Sequence, residues 1–259
     1  MLKRILFFGY GTFCYLIFLG TFLYAIGFIG NFGVPTTLDG VATRPLGVGL
    51  AIDAGLLTLF ALQHSLMARK WFKKWWTTIV PQPIERSTYV LFSSVALILL
   101  FTFWQPLGGS VWSVEDPAGR LVLRVLFACG WGLILYSTFL INHFDLFGMR
   151  QVWRYLRGQS DTAMRFVTPG PYRIVRHPLY VGWLLAFWMT PVMTFAHLLF
   201  SIATTAYILL AIQFEERDLV REYGDAYEEY RQAVPMLVPS LRKRGSKQTS
   251  PVNASERLT

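Results

Sequence analysis

Residues 179–214 read LYVGWLLAFWMTPVMTFAHLLFSIATTAYILLAIQF, 36 consecutive positions without an Asp, Glu, Lys or Arg. As one helix this run would measure roughly 54 Å, far more than the roughly 30 Å hydrocarbon core of a bilayer. Pro191, in Thr190-Pro191-Val192, supplies a break. It has no N–H to donate, and its ring disfavours helix at the residue before it. The stretch is therefore expected to form a helical hairpin inside a membrane. Its first arm, 179–190, has 12 residues, too few to cross unaided. That arm should be tilted, packed against other helices, or re-entrant.

Working outward, four more apolar blocks appear. Residues 5–29 and 87–104 carry no charge, 46–67 carries only Asp53, and 121–141 carries only Arg124. Each is close to the length of about 20 residues that one spanning helix requires. The first block lacks the small-residue cleavage site of a signal peptide and is too long for its apolar core, so it is expected to remain as a helix. Of the 259 residues 54% are hydrophobic and only 15% are charged, against roughly 25% charged in a soluble domain. A soluble fold, a disordered chain and a secreted disulfide scaffold are all excluded. Both cysteines, Cys14 and Cys129, fall inside spans, so no disulfide is implied. The expected fold is all-α: a polytopic membrane helical bundle of four spans plus a C-terminal helical hairpin, five to six transmembrane segments, with cytoplasmic helical elements. Three regions are expected: a four-span region at 1–141, the hairpin-bearing region at 142–239, and a disordered basic tail at 240–259.

The basic residues orient the chain. With the N-terminus cytoplasmic, Lys3 and Arg4, the Arg69-Lys70-x-x-Lys73-Lys74 cluster, Arg86, the 150–176 loop and everything after Arg217 share one side. Only Arg44, Arg120 and Arg124 fall on the other. This asymmetry predicts a cytoplasmic (inner) membrane protein with both termini inside. The formal charge of +9 then reflects topology and contact with anionic membrane lipids, and no nucleic acid partner is needed.

Three of the four histidines reach that cytoplasmic face from separate segments: His64 in Gln63-His64-Ser65, His143 in Asn142-His143-Phe144-Asp145, and His177 in Arg176-His177-Pro178. His197 sits in mid-hairpin. A single interfacial histidine reads most simply as a helix cap, but polar groups at membrane depth pair or line cavities, and three converging favour a site. Asp53 is expected to hydrogen-bond a neighbouring helix. The hairpin entrance, TPGPYRIVRHPLY at 168–180, turns at Pro169-Gly170-Pro171 and presents Arg173 and Arg176, guanidinium forks suited to a carboxylate. Pro178 suits the first position of the next helix, whose free N–H groups favour an anion. The exit carries Glu215 and Glu216, which antiparallel arms would bring beside Arg173, Arg176 and His177. Tyr223, Tyr227 and Tyr230 form one aromatic stripe on a helix weakened by Gly224. The plain alternative is an interfacial linker whose acids neutralise its arginines. Taken together, these groups suit a ligand bearing an ammonium, a carboxylate and a second cationic centre, as S-adenosylmethionine does.

Gly170-Pro171-Tyr172, Arg176-His177-Pro178-x-Tyr180-x-Gly182, Glu215-Glu216-x-x-Leu219, Tyr223-Gly224-x-x-Tyr227-x-x-Tyr230 and Pro235 resemble the isoprenylcysteine carboxyl methyltransferase superfamily over about 165–239. Asn142 to Gly148, Arg150-Gln151-Val152-Trp153 and Gln63-His64-Ser65 resemble, within it, the bacterial methanethiol S-methyltransferases. The resemblance implies an integral membrane enzyme that transfers a methyl group from S-adenosylmethionine to methanethiol, giving dimethyl sulfide. It implies a donor site of Tyr172, Arg173, Arg176, His177, Tyr180, Glu215, Glu216 and Tyr230 in place of a Rossmann domain. Gly47-Val48-Gly49 lies in a span and lacks the third glycine of a nucleotide fingerprint. No His/Cys pairs stand at ligand spacing, so no metal is expected. The thiolate is the competent nucleophile, which calls for a base: His64 or His143, with Asp145 as orienting partner, and with Gln63 and Asn142 binding the small thiol. The rival readings are a prenylcysteine or lipid acceptor, an NADPH-dependent sterol-type reductase, and a non-catalytic membrane subunit.

Overall fold

In a computed structural model, which describes residues 1–160 and 166–239, five helices are long and apolar enough to cross a membrane: α1 (Leu2–Gly30), α2 (Leu46–Ala68), α4 (Gln82–Phe103), α5 (Pro117–Leu140) and α9 (Phe195–Tyr223). Shorter helices are α3 (Lys70–Trp76), α6 (His143–Leu146), α7 (Met149–Leu156), α8 (Pro178–Trp188) and α10 (Asp225–Ala233). The expected tail at 240–259 lies outside the described residues. Local chemistry sets the boundaries. Asn31, left-handed at φ 58°, ends α1. Pro117 opens α5 behind Asp116, whose carboxylate accepts the Gly119 N–H at 2.7 Å. Thr194 caps α9 by accepting the His197 N–H at 3.1 Å.

The polypeptide does break around Pro191, but with a feature absent from the all-helical expectation. Val192–Thr194 (β2) pairs antiparallel with Ser110–Ser113 (β1), a strand lying between α4 and α5. This short ribbon fixes the hairpin apex at the end of the bundle where α4 stops and α5 starts. The hairpin therefore runs from one end of the bundle to the other, and the re-entrant alternative is discarded. The extended residues at the apex make up length that α8, about 16 Å of helix, does not supply. Asp39, from the α1–α2 loop, accepts hydrogen bonds from Thr194 and Asn31 and faces His197 Nδ1 at 3.2 Å. His197 Nε2 donates to the Phe187 carbonyl at 2.9 Å. His197 is thus an apex lock, remote from the other histidines.

α8 is held mainly by α5, and glycine makes the contact possible. A Cβ on Gly182 would lie 2.8 Å from the Gly130 carbonyl oxygen, and one on Gly130 would lie 2.8 Å from that of Gly182. Two membrane helices touch backbone to backbone here, as small residues allow. Around them Trp131 packs edge-on to Phe22 and Trp183, with centroids at 5.2 and 5.3 Å. Asp53 is fully buried, and its Oδ1 accepts the Gln105 backbone N–H at 2.8 Å, from the loop just past α4 rather than from a side chain on a helix, while its Oδ2 has no partner among the described residues. Outward-facing Phe13, Leu62, Phe103 and Leu210 are exposed, as suits side chains that meet lipid.

At the end opposite the ribbon, Arg69 lies 3.9 Å from Asp218 and Lys70 lies 3.6 Å from Glu222. Arg86 donates to the Leu146 carbonyl at 3.0 Å. These contacts gather the end of α2, the start of α4, the segment after α5 and the end of α9 on one side. The fold thereby delivers His64, His143 and the hairpin's inner ends to a common surface.

Candidate active site at the inner ends of the hairpin

Arg176 and His177 immediately precede α8, and Glu216 lies near the end of α9. Arg176 Nε donates to Glu216 Oε1 at 2.8 Å, and His177 Nε2 donates to the same oxygen at 3.0 Å. The side chains of Arg176 and Glu216 are each only 11% exposed, so this is a buried clasp rather than a surface pair. Arg176 Nη1 also donates to the carbonyls of Arg231 and Val234, at 2.8 and 2.5 Å. The Arg176 and His177 N–H groups donate to Pro235 and Met236, at 2.8 and 3.2 Å. The chain after α10 is thus strapped across the entrance to α8. The guanidinium expected to meet a ligand carboxylate is committed to the protein's own scaffold. Arg173, the other candidate, donates through Nε to the Thr168 carbonyl at 3.3 Å.

Beside the clasp lies a more open acid. Glu215 is 45% exposed and accepts the Tyr180 hydroxyl at 2.9 Å, with His177 Nδ1 at 4.0 Å. The three tyrosines of the expected stripe do not share one helix. Gly224, at φ 56°, ends α9 at Tyr223, and α10 starts anew, because a residue without Cβ takes that backbone freely. Phe166 nonetheless gathers them, with centroids 5.1 Å from Tyr223, 5.7 Å from Tyr227 and 5.5 Å from Tyr230. Tyr230 donates to the Tyr172 carbonyl at 2.6 Å. Burial raises the Tyr172 and Tyr227 phenols above the ordinary range and pushes Tyr230 up to about 12, so all three remain protonated donors. Tyr227 is 1% exposed, within electrostatic range of Glu216, Arg176 and Glu215, and its hydroxyl has no hydrogen-bond partner among the described residues. A buried donor without an acceptor costs about 1–3 kcal/mol. It marks a place where a ligand oxygen would be stabilised.

The two remaining candidate histidines flank one apolar cluster. His64 stacks on Phe60 and meets Tyr89 Oη at 3.0 Å and Ser93 Oγ at 3.2 Å. Next to it, Ser65 and Tyr207 join α2 to α9 at 3.0 Å. Tyr89 belongs with Met67 and Val90 to a cluster packed against Phe18 and Phe147. Phe147 in turn lies 4.8 Å from the His143 ring. Gly170 of the hairpin entrance rests on Tyr136 and Leu140 at the end of α5, three residues before His143.

His143 is buried and held by Tyr15 at Nε2 and by Thr138 at Nδ1, each at 2.9 Å. Asp145 does not orient it. That carboxylate is taken by Arg150 at 3.0 Å and Gln151 at 3.2 Å, because α6 turns it toward α7. Asn142, left-handed at φ 86°, makes the bend that turns the chain out of α5. Gln63 donates to Met67 Sδ at 3.2 Å, and its Oε1 is buried without a partner among the described residues. Tyr15, Thr138, Tyr89 and Phe166 were not singled out from the sequence. Only Phe166, an aromatic in a polar loop, offered a local signal. Two clefts lie away from these residues: about 320 Å³ between α1 and α4, around Gly20 and Phe101, and about 460 Å³ around Lys73, Lys74 and Gln82.

Residues 123–226, from α5 into the start of α10, match the phospholipid methyltransferase family. With five candidate membrane helices and a polar cluster at their common end, the molecule is a multi-pass membrane methyltransferase. The chain is 57% identical over 235 residues to methanethiol S-methyltransferase of Crocosphaera subtropica, covering 91% of this chain and 92% of that one. It is 52% identical over 238 residues to the Mycobacterium tuberculosis enzyme of the same name, covering 92% and 98%. It is 50% identical over 235 residues to methanethiol S-methyltransferase 1 of Bradyrhizobium diazoefficiens, covering 91% and 82%. The chain belongs to the methanethiol S-methyltransferase family. No solved structure matches it.

Proposed function

We propose that this protein S-methylates methanethiol to dimethyl sulfide, with S-adenosylmethionine as donor, at the cytoplasmic face of the inner membrane. The observation that carries this reading is the buried Arg176–Glu216–His177 clasp with Glu215 and the unpartnered Tyr227 hydroxyl beside it. The residues present fit the donor. Glu215 supplies a carboxylate for an ammonium. The rings around Phe166 supply faces for a sulfonium, and Tyr227 supplies a hydroxyl donor for a ligand oxygen. Arg173 and Tyr172 border the entrance, while Arg176, His177 and Tyr230 hold its walls in place. When bound, the donor supplies an electrophilic methyl group.

The chain's own work is to align the nucleophile with that methyl group and to remove the thiol proton. Alignment alone can contribute several kcal/mol. A small alkanethiol is mostly protonated at neutral pH, and its thiolate is the reactive form. His64 and His143 are the two histidines at this end that the clasp does not engage. The buried Gln63 Oε1 offers an acceptor for the thiol S–H. Asn142 and Asp145 shape and anchor the segment that carries His143. On this reading the four-span region 1–141 contributes the Gln63–His64 side, and 142–239 contributes the donor side. The lysine- and arginine-rich end faces the cytoplasm with both termini and contacts anionic lipid there.

Purified protein given methyl-labelled S-adenosylmethionine together with methanethiol, hydrogen sulfide and a lipid thiol should release labelled dimethyl sulfide into the headspace. Methylation of the lipid acceptor alone would overturn the assignment.

A further inference from the structure

The contacts of His143 decide where its protons sit. Thr138 Oγ1 lies 2.8 Å from the Leu135 carbonyl, a group that can only accept, so the threonine hydrogen points there. The same Oγ1, its hydrogen used, faces His143 Nδ1 at 2.9 Å and accepts. Nδ1 therefore carries a hydrogen. Nε2 faces Tyr15 Oη at 2.9 Å. Burial lowers the proton affinity of His143, which keeps the ring neutral near pH 7 and leaves Nε2 with a lone pair for the Tyr15 hydroxyl. This assignment gives each of the three contacts one hydrogen.

Taking up a proton at Nε2 requires almost no rearrangement. Nδ1–H stays on Thr138, and Nε2–H then donates to Tyr15 Oη. The ring is clamped by Phe139, stacked at 4.3 Å and 7°, with Phe144 at 5.4 Å and Phe147 at 4.8 Å. The nearby charges of the same segment, Asp145 and Arg150, are paired with each other at 3.0 Å. His64 lacks this definition, since Tyr89 Oη lies 3.0 and 3.1 Å from its two ring nitrogens.

Resting on the methyl-transfer reading above, we infer that Tyr15 is a catalytic residue: with His143 it forms a relay that deprotonates the thiol. The S–H proton passes to Tyr15 Oη as the tyrosine's own proton passes to His143 Nε2. The electron pair left on sulfur forms the new S–C bond. The pair of the broken donor C–S bond stays with the donor, and the imidazolium later loses its proton to water. Thr138 is a positioning residue that holds the ring with Nε2 toward Tyr15.

Tyr15→Phe keeps the ring and its packing and removes only the hydroxyl. With methanethiol at pH 7 its kcat should fall about 100-fold, the lower end of general-base contributions, with the KM for S-adenosylmethionine unchanged. The deficit should shrink as pH rises past about 8.5, where thiols begin to ionise unaided. Thr138→Val should show a smaller loss with the same recovery. A wild-type rate for Tyr15→Phe at pH 7, or a deficit constant across pH, would overturn the relay. Either result leaves the methyl-transfer reading standing, whereas an inactive wild-type protein would instead defeat that reading.

Discussion

Replacing Glu216 with alanine should lower thermal stability in detergent and weaken binding of S-adenosylhomocysteine at least 100-fold. The carboxylate takes hydrogen bonds from both Arg176 and His177, and all three side chains are largely buried. Removing one partner of a buried ion pair typically costs about 3–5 kcal/mol, because the remaining charge is left without compensation. Here the remaining guanidinium also anchors the strap after α10 through the Arg231 and Val234 carbonyls. The damage should therefore spread to Tyr230, on the α10 helix that leads into that strap, and to Phe166 packed against it. Arg176→Met combined with Glu216→Leu should recover only part of the melting temperature, because the Arg231 and Val234 carbonyls lose their donor, and should not recover ligand affinity. If Glu216→Ala melted and bound like the parent, the clasp would have no structural role.

His143→Ala should act on turnover. A lost general base lowers rate by about 100- to 10,000-fold, and the donor KM should hold steady because no clasp residue is touched. The pH dependence carries a sign. Burial lowers the His143 proton affinity, and the neutral ring is the competent form. The acid limb of kcat/KM should therefore lie below the ordinary histidine value of about 6.5. Stability should follow the same group: the unfolded chain binds the proton more readily, so the folded state loses stability as pH falls below about 6.5. A variant that raised only the donor KM would move His143 from the acceptor side to the donor side.

Hydropathy alone set out most of this architecture, because bilayer thickness constrains helix length and Pro191 forbids one continuous helix through 179–214. The clasp was legible for a related reason. Charged residues at both ends of an uncharged hairpin, Arg176 and His177 before it and Glu215 and Glu216 after it, can meet only if the arms run antiparallel. What the sequence did not disclose depends on contacts between distant segments. The β1–β2 ribbon joins residues about eighty positions apart, and the Gly130–Gly182 approach becomes visible only when α5 and α8 are laid together. Asp145 looked like a partner for His143 because it is close in sequence, yet Arg150 claims it and the actual partners are Tyr15 and Thr138. Tyr15 is one of 12 tyrosines, and nothing local in α1 distinguishes it. The spacing of Tyr223, Tyr227 and Tyr230 fits one helix, but Gly224 turns the chain and Phe166 reunites the rings.

Calorimetric titration of S-adenosylhomocysteine into the parent protein and into Glu215→Gln separates the ligand-facing acid from the structural one. Glu215 is half exposed and outside the buried ion pair, so the glutamine variant should melt with the parent while binding at least tenfold more weakly. Equal affinity in the two proteins would place the donor somewhere other than the inner end of the hairpin.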